Sequence, residues 1–411
     1  MHLTAIPFVC YLLASGLRSV GGRQMAQKER QDIIKRLEGL RSSRTITLVT
    51  GDRAVAPTAI ADDCLRPLYD HLLSAAKEGK PKKIDLVLYT RGGFVETPWK
   101  IVTKIRQFCQ QFTVMIPYRA HSAGTMIAIG ADTILMSPMS ELGPIDPFLQ
   151  IRPEGGKPVP FLIPDLGVED VAAYISFLKE RAGITDQNAL TNNVKALAEH
   201  VTPTLLGRVE RIYSHIRVVA RKLLALCKPP LAEATISTIV EALTEKMYAH
   251  GHGISIDEAR LIGLRVEAMP PDVEKAVWDL YLDYENALGL NANPDPYSYF
   301  PDDVANVYEE TGALGVLMES AGLAHAFQGT IRIERVRKMP PQLNINLNFP
   351  LNLPASVQPQ TLPQQVQAIV QQILQQAAQQ LQGMIQAEIA RQAPTEAMRA
   401  RWVGGTWQQL Q

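Results

Sequence analysis

The feature that most constrains the fold is a nearly continuous apolar run, IDLVLYT, at residues 84–90, which ends in Arg91, Gly92 and Gly93. A strand with one solvent face alternates apolar and polar residues, whereas a parallel strand covered by helices on both faces is apolar throughout. The run therefore predicts a central strand of a parallel sheet. Glycines directly after it predict a tight turn into the next element.

Similar strands alternate with helices along the first third of the chain. Further strands are predicted at 45–51, 113–118 and 133–138, and helices at 62–78, 97–111 and 122–130. Strands separated by helices of this length indicate βαβ crossovers, and hence an α/β sheet domain with helices on both faces. A more helical half follows, with helices predicted at 168–181, 186–200, 204–227 and 231–247 and another beginning at 257.

The composition excludes several classes of function. The 41 basic and 41 acidic side chains balance, so the excess of cations that nucleic acid or an anionic membrane surface attracts is missing. The four cysteines are far apart and have no histidine at ligand spacing, which argues against a zinc site or a disulfide framework. No P-loop, dinucleotide fingerprint or metal-ligand cluster occurs, so we expect no cofactor and no metal.

The first 24 residues have three interpretations. The apolar stretch 3–17 is shorter than the roughly 20 residues that span a bilayer as a helix. It lacks a positive region before the apolar run, so it is a poorly formed signal peptide. We favour a third interpretation, that Met25 is the true start and that residues 1–24 are a leader or a misassigned start. On this interpretation we expect the protein to be cytoplasmic. Membrane association is expected only if residues 3–17 are retained.

The C-terminal third divides by composition. We expect a helical or loop extension at 291–337, a Pro- and Asn-rich linker at 338–362, a Gln-rich amphipathic helix at 363–392 and a tail at 393–411. The helix has a continuous apolar stripe and almost no charge, which predicts pairing with a second copy or a partner. The alternative is a disordered Gln-rich tail, because isolated helices are marginal without packing.

Two strand ends hold the residues that can carry chemistry. Gly92 and Gly93 open one turn into a helix, where only glycine lets backbone N–H groups approach a bound group. Ser122 stands at the next strand-to-helix junction, followed by Ala123, at the sheet edge where open α/β folds bind ligands. These residues could form a nucleophile with an oxyanion hole. The alternative is that Ser122 is a helix cap and that the glycines only turn the chain.

The motifs LYTRGG, HSAGTMIAIGAD and SELGPIDP, in this order, resemble the serine dehydrogenase proteinase family. This family is a branch of the Clp protease and crotonase superfamily and is related to signal peptide peptidase A. The resemblance runs from about residue 30 to 269 and implies a Clp/crotonase-like serine peptidase domain at 25–290. It also implies Ser122 as the nucleophile, and Gly92, Gly93 and Ala123 as the oxyanion hole and substrate-binding positions.

The resemblance leaves the general base open. HGHGISIDEARLIGL resembles the family's late segment with a Thr-His-Asp tripeptide, which puts His250 at the histidine and Gly251 at the aspartate. The loop at 143–147 has no histidine where a Clp protease carries one, and PDLGVED has no lysine where signal peptide peptidase A carries its base. We therefore expect His250 or His252 as the base, oriented by Asp146. His121 also adjoins Ser122, although alternation along a strand would point it away.

These residues predict a serine endopeptidase that acts on a peptide or protein substrate. Oligomers are usual in this superfamily, so the resemblance also implies a homo-oligomer. The alternative, from a different class, is a catalytically weak or inactive relative that binds an extended peptide or a partner in the same crevice as an assembly scaffold. A second alternative is crotonase-like chemistry on an acyl thioester. The sequence does not support it, because no motif indicates a pocket for the adenine nucleotide of such a substrate.

Overall fold

The structure, a computed structural model, describes residues 27–77, 79–145, 148–150, 165–167, 173–200, 203–244, 252–302, 304–338 and 363–410. The strands are β1 Arg44–Thr50, β2 Lys83–Tyr89, β3 Gln111–Ile116, β4 Arg119–Ala120, β5 Thr133–Met136, β6 Glu141–Leu142, β7 Phe148–Gln150, β8 Asp165–Gly167, β9 Val266–Ala268, β10 Val307–Ser320, β11 Leu323–Arg337 and β12 Thr395–Gln409. The α-helices are α1 Gln27–Arg41, α2 Leu65–Ala75, α3 Thr97–Phe108, α4 Ala123–Ile129, α5 Gln187–His200, α6 Pro203–Leu224, α7 Glu233–Thr244, α8 Ile256–Ile262, α9 Pro271–Leu288 and α10 Gln364–Gln392. Short 3₁₀ turns lie at Asp62–Cys64 and Pro296–Tyr299, and a π-helical turn lies at Phe177–Arg181.

One eight-stranded sheet organises these elements, in the order β12-β11-β10-β1-β2-β3-β5-β9. Strands β1, β2, β3, β5 and β9 run parallel, whereas β10, β11 and β12 add to β1 as an antiparallel meander. The predicted α/β fold with parallel crossovers is therefore confirmed. The carboxyl ends of β1, β2 and β3 meet at one edge, where the candidate site lies.

Helices cover both faces of the parallel part because adjacent residues of each strand point to opposite sides. Leu86 and Leu88 of β2 pack into one apolar core with residues of α2, α3, α4, α6 and α7. Val87 and Tyr89 of the same strand pack into a second core with residues of α1 and α9. This burial on both faces explains the continuous apolarity of residues 84–90.

The C-terminal third departs from the sequence prediction. Residues 307–337, expected in a helical or loop extension, form β10 and β11, and residues 395–409, expected in a tail, form β12. Those two expectations are wrong. Local composition is misleading here because the extended conformation of β10 depends on its pairing with β1 more than on the strand propensity of its own residues. The pairing runs from Ile46 opposite Ser320 to Thr50 opposite Val316.

Helix α10 occupies the position predicted for the Gln-rich helix, at Gln364–Gln392. Ile369, Ile373 and Met384 on its stripe are 55%, 58% and 70% exposed. The linker expected at 338–362 and the leader at 1–24 lie almost wholly outside the described residues. Among the helices that the structure describes, none has the length and apolarity that crossing a bilayer requires.

A buried charge network joins α1 and α9 to strand β10 of the sheet. Arg30 of α1 donates to Glu319 of β10 at 2.9 and 2.8 Å and to Asp283 of α9 at 2.8 Å. Tyr284 donates to Glu319 Oε2 at 2.8 Å. All four side chains are buried. Each charged group has an oppositely charged partner within hydrogen-bond distance, which is the condition under which ions are tolerated in a core.

Candidate functional site

Ser122 occupies a sharp turn between β4 and α4. Its backbone has φ +49° and ψ −109°, a conformation that side-chain-bearing residues rarely adopt. Such strain costs on the order of 1–3 kcal/mol and is held only where the surrounding structure imposes it. The Ser122 side chain makes no capping hydrogen bond to α4. Ser122 therefore stands at the N-cap position of α4 without capping the helix with its hydroxyl.

Ser122 lies directly against the turn that follows β2. Gly92 has φ +127°, and a Cβ added there would lie 2.9 Å from the Ser122 Cβ and 3.4 Å from its Oγ. A Cβ on Gly93 would come within 2.1 Å of the Ile60 carbonyl oxygen. Both glycines are therefore required by close approach, and Gly92 is the one whose missing side chain makes room for Ser122.

The backbone donors of this turn are not equivalent. The Gly92 N–H donates to Thr90 Oγ1 at 3.0 Å, and the Thr50 hydroxyl donates to the same Thr90 oxygen at 2.9 Å. Within the described residues, the N–H groups of Gly93 and Ala123 have no hydrogen-bond acceptor. Of the two glycines expected to form the oxyanion hole, Gly93 is therefore the one whose N–H has no acceptor among the described residues, whereas the Gly92 N–H bonds a threonine hydroxyl.

His121 precedes Ser122 and faces a carboxylate. Its Nε2 lies 3.1 Å from Glu141 Oε1, which also accepts a hydrogen bond from Arg119 Nε at 2.8 Å. Burial, the largest cause, lowers the pKa of His121; Glu141 opposes this effect, whereas Arg91 and Arg119 add to it. Burial therefore favours the neutral form of the imidazole over the charged form. Its ring nitrogen bonds Glu141, and the structure shows no hydrogen bond between it and Ser122.

A charged cluster next to this histidine was missed by the sequence analysis. Asp52, just after β1, accepts hydrogen bonds from Tyr89 Oη and from Arg91 Nε, both at 2.8 Å. Arg119 Nη1 lies 4.0 Å from the same carboxylate, and its guanidinium stacks 4.0 Å from the Tyr118 ring centroid. The available signal was the position of all these residues at or just after strand ends, where side chains of parallel strands converge.

The late segment reaches this edge through one backbone pairing. Ile254 and Leu142 exchange N–H to carbonyl hydrogen bonds of 2.8 and 3.0 Å, in antiparallel orientation. His252 lies two residues before this pair, is 43% exposed and bonds Glu258 at 2.9 Å rather than Ser122. The other two predicted members of the triad, His250 and Asp146, lie outside the described residues.

The three cysteines of the described chain are not alternative nucleophiles. Burial raises the pKa of the Cys64 thiol to about 12 and those of Cys109 and Cys227 to about 11, so these thiols stay protonated and unreactive. The His, Cys, Asp and Glu side chains in the described part of the chain form no group of three or more that could hold a metal ion.

The comparisons agree with the resemblance found in the motifs. The family model of ClpP-like SDH-type serine proteinases matches residues 2–156. An uncharacterised protein of Methanocaldococcus jannaschii is 26% identical over 264 residues, which cover 62% of this chain and 79% of that protein. The similarity of this chain to the ClpP-like SDH-type serine proteinases is confirmed.

Two proteases are among the solved structures to which the chain is similar. One is a lysine-to-alanine mutant of the 1510-N membrane-bound stomatin-specific protease in complex with a substrate peptide. It has 17% identity and a TM-score of 0.31, over 51% of this chain and 71% of that one. The other is ClpP1 from Listeria monocytogenes, with 13% identity and a TM-score of 0.31, over 57% of this chain and 98% of that one.

Proposed function

We propose that the protein is a serine peptidase-like hydrolase that cleaves peptide bonds with Ser122 as its nucleophile. The observation that carries the proposal is the strained turn at Ser122, whose hydroxyl caps no helix and lies against Gly92. A serine on such a strand-to-helix turn exposes its hydroxyl at the top of the sheet, which is how α/β hydrolases present their nucleophile. Similarity to a family of serine proteinases supports the same class of chemistry.

The proposed reaction uses two backbone donors. Ser122 Oγ bonds the scissile carbonyl carbon and loses its proton to a base, while the N–H groups of Gly93 and Ala123 bind the oxyanion that develops. The C–N bond then breaks as the base returns the proton to the leaving amine. In the second half of the reaction the base takes a proton from water, and the water oxygen attacks the acyl carbon. The ester bond to Ser122 then breaks and the base returns the proton to Ser122 Oγ. Both donors are unbonded in the described structure, which supports their assignment.

For the base we propose His250 or His252, oriented by Asp146. His252 lies two residues before Ile254, which pairs with Leu142, and Asp146 follows Leu142 by four residues. This pairing supports the segment that contains His250 and His252 as the part of the chain that supplies the base. Separate His250→Ala and His252→Ala variants identify the base, because loss of the true base removes the acidic limb of the pH–rate profile. A His121→Ala variant is the comparison, since His121 is held by Glu141.

The alternative function is a peptide-binding or assembly scaffold without catalysis. It is favoured by one observation, that the Ser122 hydroxyl has no hydrogen-bond partner among the described residues. A serine without a base is a weak nucleophile. We propose the peptidase as the first candidate because a scaffold gives no reason to keep strain at Ser122.

A serine-directed fluorophosphonate probe separates the two functions. We expect the folded protein to be labelled and Ser122→Ala to lose the label. Ser255→Ala is the matched control, because Ser255 also begins a helix but accepts a capping hydrogen bond from Glu258 N. Labelling that survives in Ser122→Ala contradicts the assignment, and an unlabelled protein with native circular dichroism supports the scaffold.

We further propose that the protein acts in the cytoplasm as a homo-oligomer on a peptide or protein substrate. Support for self-association comes from α10, where Ile369 and Ile373 are more than half exposed. Exposed apolar stripes of this kind are typical of helices that pair with another helix.

A further inference from the structure

A cavity of about 230 Å³ opens beside the Gly92–Gly93 turn. It lies between the loop at 57–61 and the antiparallel strands β10, β11 and β12. Its lining is mostly apolar and includes Ile60, Phe94, Val316, Phe327, Trp402 and Trp407. The two tryptophans come from β12, so the strand that the sequence did not reveal supplies one wall.

Backbone hydrogen bonds join this cavity to the candidate site. Ile60 N donates to the Gly92 carbonyl at 2.8 Å, and Phe94 N donates to the Ile60 carbonyl at 2.9 Å. Thr50 also lines the cavity, and its hydroxyl bonds the Thr90 oxygen that accepts from Gly92 N. The cavity therefore adjoins the turn whose Gly93 N–H we assign to the oxyanion hole.

The aromatic wall is fixed by its own contacts. Trp402 Nε1 donates to the Ala56 carbonyl at 3.2 Å, and Trp407 Nε1 donates to Asp63 Oδ2 at 3.0 Å. Phe327 packs edge-to-face against both indoles, with ring centroids 5.9 and 6.2 Å away. Both indole N–H groups thus have partners, so the wall offers a ligand apolar ring surface rather than hydrogen bonds.

We propose that this cavity is a substrate subsite that takes one apolar side chain of the peptide whose carbonyl Ser122 attacks. This inference rests on the proposed function and adds its substrate class. The volume favours a single side chain, because pockets for drug-sized ligands are roughly 300–1,000 Å³. The lining favours an apolar one, because its acidic residue, Asp63, is already bonded to Trp407.

Peptide binding to the Ser122→Ala protein tests the subsite without catalysis. The probes are fluorescein-labelled hexapeptides, five alanines with phenylalanine, leucine or aspartate at the third position, measured by fluorescence polarisation. We expect the phenylalanine and leucine peptides to bind at least about tenfold more tightly than the aspartate peptide. Equal affinities overturn the proposal.

Two substitutions at the 51–61 loop give the matched comparison. Ala59 is exposed and lines the cavity, so Ala59→Phe fills it without altering the core; Ala54 is exposed in the same loop and does not line it. We expect Ala59→Phe to lower the affinity for the phenylalanine peptide about tenfold and Ala54→Phe to leave it within twofold. Equal effects of the two changes contradict the subsite.

A second variant and an independent readout keep the test decisive. Phe94 is 63% exposed at the cavity mouth, so Phe94→Ala removes lining with little loss of core packing and should also weaken the phenylalanine peptide. Fluorophosphonate labelling of Ser122 is measured separately in the wild-type protein. If Ser122 is labelled but the three peptides bind equally, only the subsite proposal is overturned. If the apolar peptides bind more tightly but Ser122 is not labelled, the peptidase proposal is overturned and the apolar pocket is supported.

Discussion

The side chains at positions 92 and 122 exclude each other: a Cβ on Gly92 would lie 2.9 Å from the Cβ of Ser122. Non-bonded atoms essentially never lie this close to a Cβ atom in proteins, so a side chain on residue 92 would force Ser122 or the turn to move. The glycine of one strand-end turn therefore fixes where the serine of the next can stand. The position of the proposed nucleophile is therefore set by backbone packing, and no side chain in the described part of the chain bonds its hydroxyl.

This contact makes Gly92→Ala a specific test of the site. We expect the variant to lose about 1–3 kcal/mol of stability and at least tenfold in the rate of fluorophosphonate labelling, because Ser122 must move. Gly79→Ala is the matched control: Gly79 has a similar φ of +106°, but a Cβ there meets nothing within 4 Å. If both variants label at equal rates, contact with Ser122 does not control reactivity.

Substitutions at Ser122 itself measure the stored strain. Glycine adopts positive φ readily, whereas alanine retains the steric penalty of a Cβ. We expect Ser122→Gly to be more stable than Ser122→Ala by about 1 kcal/mol in urea denaturation. Neither variant should label. An alanine variant as stable as the glycine variant would show that the +49° backbone of residue 122 stores no strain.

The stability of the sheet should depend on pH through His71. Its Nδ1 lies 2.8 Å from Ser320 Oγ and its Nε2 lies 3.2 Å from His325 Nδ1. Burial, followed by the neighbouring His325, lowers the pKa of His71 from 6.5 to about 3. Between these pH values the unfolded chain binds a proton that the folded chain does not, so the free energy of unfolding decreases as pH falls below about 6.5.

Urea denaturation at pH 7.5, 5.5 and 4.5 measures this effect. One proton contributes up to about 1.4 kcal/mol per pH unit. Carboxylates also titrate in this range, so the decisive quantity is the difference between the wild type and His71→Asn. We expect the variant to lose less stability between pH 7.5 and 4.5 than the wild type. Parallel pH curves would rule out His71 as the source.

Removing the buried cation of the charge network should be costly. Arg30→Met removes the guanidinium that forms buried ion pairs with both Glu319 and Asp283, and loss of one member of a buried ion pair typically destabilises by about 3–5 kcal/mol. Lys35→Met is the control, because Lys35 and Asp32 form an ion pair in which both side chains are 57% exposed. Such a pair contributes about 0–1 kcal/mol. Similar urea midpoints for the two variants would contradict the network's role.

The stripe on α10 gives a test of self-association. We expect Ile373→Lys to shift the protein toward smaller species in sedimentation velocity, because a lysine at this exposed apolar position must be desolvated in any helix pair. Gln375→Lys places the same charge on an exposed glutamine away from the stripe and should leave assembly unchanged. Equal sedimentation of both variants and the wild type would argue against pairing through this face.

The parallel core of the fold was predictable because burial on both faces leaves a direct signature in sequence. Strands predicted at 84–90 and 113–118 are observed at Lys83–Tyr89 and Gln111–Ile116. The meander was not predicted, since most residues of β12 are exposed and the strand owes its conformation to pairing with β11. A period-two signal was present in β11, where Ile331 and Ile333 are buried.

The site was predictable in composition but not in hydrogen bonding. Ser122, Gly92 and Gly93 could be named from their positions at strand ends. The bond from Gly92 N to Thr90 could not, because it depends on a threonine rotamer that the sequence does not specify. The subsite wall was equally hidden, since Trp402 and Trp407 lie more than 300 residues beyond Ile60 and reach it only through the sheet order.

The bond between Arg30 and Glu319 spans 289 residues, which makes the order of folding a consequence of the topology. Strands β1, β2 and β3 can form parallel pairs as soon as their crossover helices exist, but β1 meets β10 only after most of the chain has been synthesised. Until β10 pairs with β1, the Arg30 guanidinium stays hydrated. Docking of β10 therefore joins closure of the sheet to dehydration of a charge, and we expect this long-range step to set the refolding rate.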